Sequence, residues 1–428
     1  MKDSMTDRRD FLLGSSALVL SGAVASAAAE DRVRVAVVGT GGRGSDLIRA
    51  LTTIDRAEIV AVCDDYPPHL ENGHKYAGPA AKPYSSFSRM LRDIKPQALV
   101  IATPLHLHYE MAREGLEAEC AVFCEKTMCY SLEQARKLVA AVEKKGAIFQ
   151  VGLQRRANPI YRQAAAMVET GMLGRLTAIK CQWHRNNNWR RPVPVKRGDP
   201  KWKELEHRLN WRLYRDYSQG LMAELASHQM DVANWLLGAP PRRVLGSGGI
   251  DYWRDGREVY DNVFCIYEYD QKAEGTRYTV RVTYSSLQNN AYEGASELVM
   301  GTRGTLFLTQ RKGLFYREAG VEDPGWSKEG RVQADASLIT AGKTLKLSND
   351  PWAHRGKPYE IDVHGDDTRD ELISFLHHVQ NRDAKTICDA RKGLVDTATV
   401  LLANQAMREQ KTVEMPADLR GEGREPKG

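Results

Sequence analysis

Three side chains in one stretch, Glu224, His228 and Asp231, are of the types that move protons, and their spacing would bring them together. Residues 217–238 read YSQGLMAELASHQMDVANWLLG, with Leu221, Leu225, Val232 and Leu236 recurring at helical spacing. Gly238, Pro240 and Pro241 end the pattern. An acid and a histidine four apart meet side by side on a helix, and an acid three further on extends the row. Such a row could take a proton from a ligand hydroxyl lying along the helix, because imidazole titrates near neutrality. It could equally be a buried histidine tied down by its neighbours, so the helix alone leaves both readings open. Lys126 follows the apolar run 121–124 directly and could set a cation beside a substrate hydroxyl or carbonyl; otherwise it is a surface lysine paired with Glu125.

These groups need a frame. Val33 and Val35 to Val38 form a strand-like run that enters Gly39-Thr40-Gly41-Gly42-Arg43-Gly44, followed by a helical pattern. A GxGxxG alone says little, but between strand and helix it is a dinucleotide fingerprint. Gly39 would allow the tight turn, Gly41 the approach of backbone to pyrophosphate, and Gly44 the packing of helix on strand. A second strand, 58–63, ends at Asp64, placed to accept hydrogen bonds from a ribose; Asp65 beside it would repel a 2′-phosphate. That favours NAD over NADP. Further strands are expected at 98–102, stopped by Thr103-Pro104, at 121–124 and at 147–151. The helices between them are expected from His108 to Glu119 and from Ser131 to Lys144, where Ser131 and Gln134 give a capping-box start. Alternation of this kind implies a parallel sheet with ligands beyond its carboxyl ends. Thr103, Pro104, His108, Glu125 and Lys126 therefore fall on the cofactor rim, His108 either touching the ligand or bonding backbone.

After Gly152 the pattern changes to long alternating segments at 176–183, 243–252, 263–269, 278–285 and 298–309. Alternation predicts a mainly antiparallel sheet with one covered face, across which the 221–237 helix could lie. The polar, Gly-rich segment from Gly320 to Gly365 reads as an irregular insertion, and two helices, 368–379 and 390–409, close the chain. The division expected is 31–152 for a Rossmann domain, 153–415 for an α/β substrate domain and 416–428 for a polar tail.

A chain of 428 residues, 42% hydrophobic, can bury two substantial cores. Its net charge of +6 is modest, with small basic knots at Arg155-Arg156 and Arg190-Arg191, which argues against a nucleic-acid partner. No mature segment approaches the ~18 consecutive apolar residues of a membrane span. Residues 1–29 carry Arg8-Arg9, an apolar run and small-residue cleavage sites, and resemble a twin-arginine export signal. That predicts a periplasmic protein folded before export around its cofactor. The seven cysteines lack metal-site spacing, so buried free thiols and no metal are expected.

VRVAVVGTGGRG, ATPLHLH, CEKTMCYSLEQA and GLMAELASHQMDVANWL, in that order, resemble the Gfo/Idh/MocA oxidoreductases over about residues 31–415. The resemblance implies a Rossmann domain plus an α/β domain whose large open sheet is often used for oligomerisation, hence a homodimer or homotetramer. By position, Lys126 matches the family lysine and His228 its histidine. Glu224 stands where an aspartate is usual, and Asp231 matches the acid after the histidine. The segment NWRLYRDYSQG, with Trp211 and Arg212, resembles the lead into this helix in sugar-related members. Three departures stand out. Thr127 replaces the motif proline, which would loosen the backbone at Lys126. Glu224 is longer than aspartate and would move a carboxylate by ~1.5 Å, enough to be felt catalytically. Ala226 stands where glycine is common.

The implied activity is NAD(P)-dependent oxidation of a sugar or polyol CH–OH with tightly held cofactor, His228 serving as base, Lys126 as polarising cation or base, and Glu224 holding His228 or the substrate. Arg155, Arg156, Trp183, Trp189, Arg190, Trp211 and Arg212 could line the sugar site, since aromatic faces and guanidinium forks suit polyols. One alternative is an exported NAD-dependent glycosidase that oxidises transiently, eliminates and reduces again. Members of that branch lack the motif lysine that this chain keeps. Another is a non-catalytic NAD-binding protein.

Overall fold

The computed structural model describes residues 32–318, 321 and 358–421. The export segment 1–29, most of the insertion read at 320–365 and the end of the polar tail lie outside the described residues.

Valines and alanines with no room for water on either side build the first sheet: Val35, Ala36 and Val37 are fully buried, as a strand covered on both faces requires. Its elements alternate as β1 (Val33–Val38), α1 (Gly42–Leu51), β2 (Ala57–Cys63), α2 (Pro67–Ala77), β3 (Lys82–Tyr84), α3 (Phe87–Ile94), β4 (Ala98–Ile101), α4 (His108–Glu117), β5 (Ala121–Glu125), α5 (Leu132–Lys145) and β6 (Phe149–Gly152). The strand order is β3-β2-β1-β4-β5-β6, all parallel. Order reverses between β1 and β4, and a crevice opens beyond their carboxyl ends. Ser131 caps α5 through the reciprocal bonds with Gln134. Two helices and a strand, α2, β3 and α3, occupy residues for which the sequence pattern gave no element; β3 is three residues with a proline, an edge strand too short to alternate.

The second sheet holds nine strands. The chain continues as α6 (Pro159–Glu169), β7 (Leu176–Asn186), α7 (Trp202–Leu209), a π turn (Met222–Ala226) running into α8 (Ser227–Leu237), β8 (Arg243–Gly249), β9 (Asn262–Ala273), β10 (Thr276–Leu287), β11 (Asn289–Gly301), β12 (Gly304–Leu308), β13 (Gly313–Arg317), β14 (Tyr359–Glu360), α9 (Asp367–Asn381), α10 (Ala390–Glu409) and β15 (Val413–Glu414). Its order is β14-β13-β12-β11-β7-β10-β9-β8-β15. β7 and β10 pair in parallel; every other pair is antiparallel. Residues 298–309, expected as one strand, turn at Thr302-Arg303 into the β11–β12 hairpin. Along β9, Val263, Cys265, Tyr267 and Tyr269 point inward under α8 and α10, while Phe264 stays 51% and Ile266 38% exposed on the outer face.

α9 crosses back. Its Leu372, Phe375 and Leu376 pack with Val33, Val35 and Phe123 on the first sheet, and the Phe123 and Phe375 rings meet edge-on, 5.7 Å between centroids. Each such burial contributes roughly 1.5–3 kcal/mol. The helix that reads in sequence as part of the second domain thus completes the core of the first.

Candidate active site

The glycine loop is shaped by what a side chain would strike. Gly39 has φ +82°, and a Cβ there would lie 2.6 Å from the Ala102 carbonyl carbon and the Thr103 nitrogen; a Cβ on Gly44 would lie 1.7 Å from the Gly39 oxygen. The turn, the end of β4 and the start of α1 are therefore in backbone contact. Gly41 precedes α1 with no side-chain cap, so the first amide groups of that helix face the crevice. Asp64 accepts from the Thr40 amide at 2.8 Å and from the Tyr66 amide at 2.9 Å, which fixes its carboxylate at the tip of β2. Thr103 keeps a buried hydroxyl with no partner at the tip of β4. Glycines that only a close backbone approach explains, an uncapped helix start and an orphaned hydroxyl together fit a dinucleotide.

Several residues expected on the cofactor are otherwise occupied, Arg43, Glu125, His108 and the Thr40 hydroxyl among them. Arg43 turns its guanidinium to Glu125 (2.6 Å), Glu371 (2.7 Å) and the Thr368 hydroxyl (2.9 Å), latching the loop to α9. Burial opposes its charge, but the two carboxylates outweigh burial and raise its pKa. His108 sets both ring nitrogens 2.9 Å from carbonyls, of Thr103 and Thr127. Burial pushes its pKa down, so the neutral ring donates to one of them at a time and has no nitrogen left for a ligand. Pro104 ends the strand and opens a short 3-10 turn.

Lys126 follows β5 into the crevice and meets the second domain. Its Nζ donates to the Glu224 carbonyl at 2.8 Å, not to the Glu125 carboxylate, which Arg43 holds. Burial depresses its pKa against the pull of Glu224 and Glu125. The Lys126–Thr127 peptide is cis. Where the missing proline led us to expect looser backbone, Thr127 is buried and its hydroxyl donates to the Ala223 carbonyl at 2.9 Å, 3.3 Å from the Ser227 hydroxyl. Ser227 in turn donates to Asp396 of α10. Both accepting carbonyls belong to the π turn, whose wider winding is a frequent mark of functional sites in helices.

That turn also breaks the expected row of acid, histidine and acid. The Glu224 carboxylate accepts from Arg212 Nε at 2.9 Å and from the Ser218 hydroxyl at 3.2 Å, away from His228. Asp231 is gripped by Arg156 through three bonds of 2.7–3.0 Å and is 1% exposed, so it faces the interior instead of the crevice. Only His228 of the three keeps free nitrogens: it makes no hydrogen bond with any described residue and lines the crevice wall beside Lys126. Its ring lies 5.5 Å from that of Trp183. Burial first, then the charges of Lys126 and Arg155, push its pKa well below the usual value. The imidazole is neutral and able to accept a proton.

The crevice connects Arg43, Thr103, Glu125, Lys126, Glu224 and His228 with Trp183, Trp189, Trp211 and Arg212. Arg155 and Arg190 stand outside it. Arg155 is buried against Tyr161 and Glu297, and Arg190 is paired with Glu206 and Asp255. The sequence reading missed Arg185 and Arg191, which do line the crevice. Arg185 follows Trp183 by two on β7 and so shares its face, a signal that was available; Arg191 sits in an irregular segment with none.

The model of the Gfo/Idh/MocA oxidoreductase family's NAD-binding Rossmann fold matches residues 33–153, and that of its C-terminal alpha/beta domain matches residues 165–415. The chain belongs to this family. It is an oxidoreductase with an NAD-binding Rossmann fold and a second, mainly antiparallel α/β domain. Among curated relatives, a scyllo-inositol 2-dehydrogenase (NAD(+)) of Bacillus subtilis is 27% identical over 65% of this chain and 74% of its own length. A 2,7-anhydro-N-acetylneuraminate hydratase of Mediterraneibacter gnavus is 27% identical over 51% of this chain and 52% of its own. A levoglucosan dehydrogenase solved with NADH and levoglucosan superposes with a TM-score of 0.67 over 90% of this chain and all of its own, at 16% identity, which speaks for the fold alone. In this Gfo/Idh/MocA chain the residue after the lysine is Thr127, whose hydroxyl ties that turn to the Ala223 carbonyl.

Proposed function

We propose that this protein oxidises a CH–OH group of a sugar or polyol, with NAD as hydride acceptor and His228 as the base. The observation that carries this is the pairing, on one wall of the crevice, of a neutral, unpartnered imidazole with a buried lysine ammonium. Bound NAD would supply hydride acceptance at its nicotinamide. The chain's own residues do the rest. Lys126 spends one of its three N–H donors on the Glu224 carbonyl, which aims the remaining two toward a substrate hydroxyl oxygen. A cation there lowers the hydroxyl pKa and favours the forming carbonyl. His228 takes the hydroxyl proton at an imidazole nitrogen. Trp183, Trp189 and Trp211 offer apolar faces for a sugar ring. Glu224 acts through Arg212 instead of on His228, so its role is to hold the wall.

The cofactor would lie on the glycine loop with its adenosine ribose at Asp64, a carboxylate that favours NAD over NADP. Arg191 reaches over the loop from the second domain, its Nη2 3.5 Å from where a Gly42 Cβ would stand, and would grip the diphosphate from above. Such a grip suits a cofactor retained through turnover. It suits as well the export signal we read at residues 1–29, since free NAD is scarce in the periplasm. Replacing Arg8 and Arg9 by lysine should leave the protein in the cytoplasmic fraction.

A second reading, transient oxidation followed by elimination and re-reduction, draws support from the similarity to anhydroneuraminate hydratases. One experiment separates the two. The cofactor is released from purified protein and identified, then single sugars, sugar pairs and aryl glycosides are offered and the products followed by NMR. A ketone or lactone product supports the dehydrogenase; release of aglycone without net oxidation supports the elimination. Protein that neither carries nor binds a nicotinamide nucleotide refutes both.

A further inference from the structure

Five cationic side chains line the crevice, Arg43, Lys126, Arg185, Arg191 and Arg212. Arg43 is neutralised by Glu125 and Glu371, and Arg212 by Glu224. Lys126 is bonded to a carbonyl and directed at the reacting hydroxyl. Arg191 lies over the glycine loop, where the cofactor's diphosphate would meet it. Arg185 remains. Its side chain makes no hydrogen bond or ion pair with any described residue, yet it is held in place: its guanidinium carbon lies 5.4 Å from the Trp183 ring centre and 5.3 Å from that of Trp189. Its backbone is pinned in register opposite Asn290 of β11.

A half-buried cation with no counter-ion is costly, and fixing one between two indole faces adds the cost of ordering a long side chain. The two indoles hold the guanidinium carbon over their rings, and none of its N–H donors is bonded to a described residue, so they stay open to the crevice. The guanidinium belongs to the substrate half of the crevice, because Trp183 also packs on His228. The carboxylate that acts on it, Glu224, is committed elsewhere, to Arg212 and Ser218. A planar fork of N–H groups matches a carboxylate in geometry as well as in charge.

We infer that Arg185 binds a carboxylate carried by the sugar, so that the substrate is a sugar acid such as a hexuronate and not a neutral sugar. This rests on the proposed sugar oxidation. The carboxylate on Arg185 would set which ring carbon is offered to His228.

The test titrates NADH-loaded protein with D-glucuronate, D-galacturonate and D-mannuronate and with the matching neutral hexoses, at low salt, by calorimetry. The same compounds are assayed for reduction of the NAD-loaded protein. At least one uronate should bind tenfold or more tighter than its neutral partner. Added salt should shrink that ratio, and Arg185→Met should bring it close to one, while Arg185→Lys, keeping charge without the fork, falls between. NADH binding by each variant, followed by nicotinamide fluorescence, checks that it is folded. Neutral hexoses that bind as tightly as the uronates and are oxidised would overturn the inference and leave the sugar-oxidation reading standing. So would a preference that survives Arg185→Met, or binding confined to hexose phosphates. Failure of every sugar, charged or neutral, to bind or reduce the cofactor would overturn both.

Discussion

At the scale of single residues, burial sets the chemistry of the crevice. His228 is kept neutral by lost hydration and by neighbouring cations, and a depressed imidazole pKa has two consequences of known sign. The acid limb of kcat/KM should lie below the ordinary histidine range, because only stronger acid protonates the base; a pH–rate profile checks this, and His228→Asn should abolish the limb. The folded protein also refuses a proton that the unfolded chain accepts below about 6.5. Stability should therefore fall as pH drops through that value, with a shallower slope in His228→Asn, measured by denaturant midpoints. Thr127 makes a separate prediction. Removing its hydroxyl in Thr127→Val leaves the Ala223 carbonyl unpaired in a buried site, at a cost of about 1–3 kcal/mol. Mis-aiming Lys126 should lower kcat by roughly tenfold with NADH affinity unchanged. Lys126 and His228 were visible in sequence because a residue at a strand's carboxyl end or on a helix face has a placement that pattern alone implies. The fates of Asp231, Arg155 and Arg190 were not visible, since their partners Arg156, Glu297 and Glu206 are ion-pair choices made only in three dimensions.

At the scale of elements, the glycine loop and the π turn behave differently under sequence reasoning. The loop announces itself, because glycine is required wherever backbone meets backbone. Gly44→Ala should push α1 off the Gly39 carbonyl. We expect a loss of about 1–3 kcal/mol or more from overpacking, and loss of NADH binding in a fluorescence titration. The π turn is silent: Met-Ala-Glu-Leu-Ala reads as ordinary helix, yet it winds wider, and two of its carbonyls accept from Lys126 and Thr127. That is why Glu224 and His228 part company despite being four apart. α9 was legible as a helix but not as a piece of the first core, since amphipathicity tells that a face is buried and not against what.

At the scale of the whole molecule, the outer face of the nine-stranded sheet leaves Leu245, Phe264 and Ile266 more than a third exposed on adjacent strands β8 and β9. The homo-oligomer that the family resemblance implies would have such a patch available as its interface. Phe264→Glu should shift the protein toward monomer by light scattering after size-exclusion chromatography, and an unchanged mass would place the interface elsewhere. The sheet's alternation was readable along each strand, whereas the strand order and the parallel β7–β10 pair depend on long-range register that no local pattern carries. The central claim, that this crevice moves a hydride from a sugar carbon while His228 takes the proton, is tested most directly by single-turnover reduction of protein-bound NAD. On mixing with the sugar or polyol that the substrate assays identify, wild type should form reduced nicotinamide in one phase. His228→Asn, with sugar and cofactor both bound, should slow that phase by about 100-fold or more, the usual loss for a missing general base. An unchanged rate in His228→Asn would contradict the account.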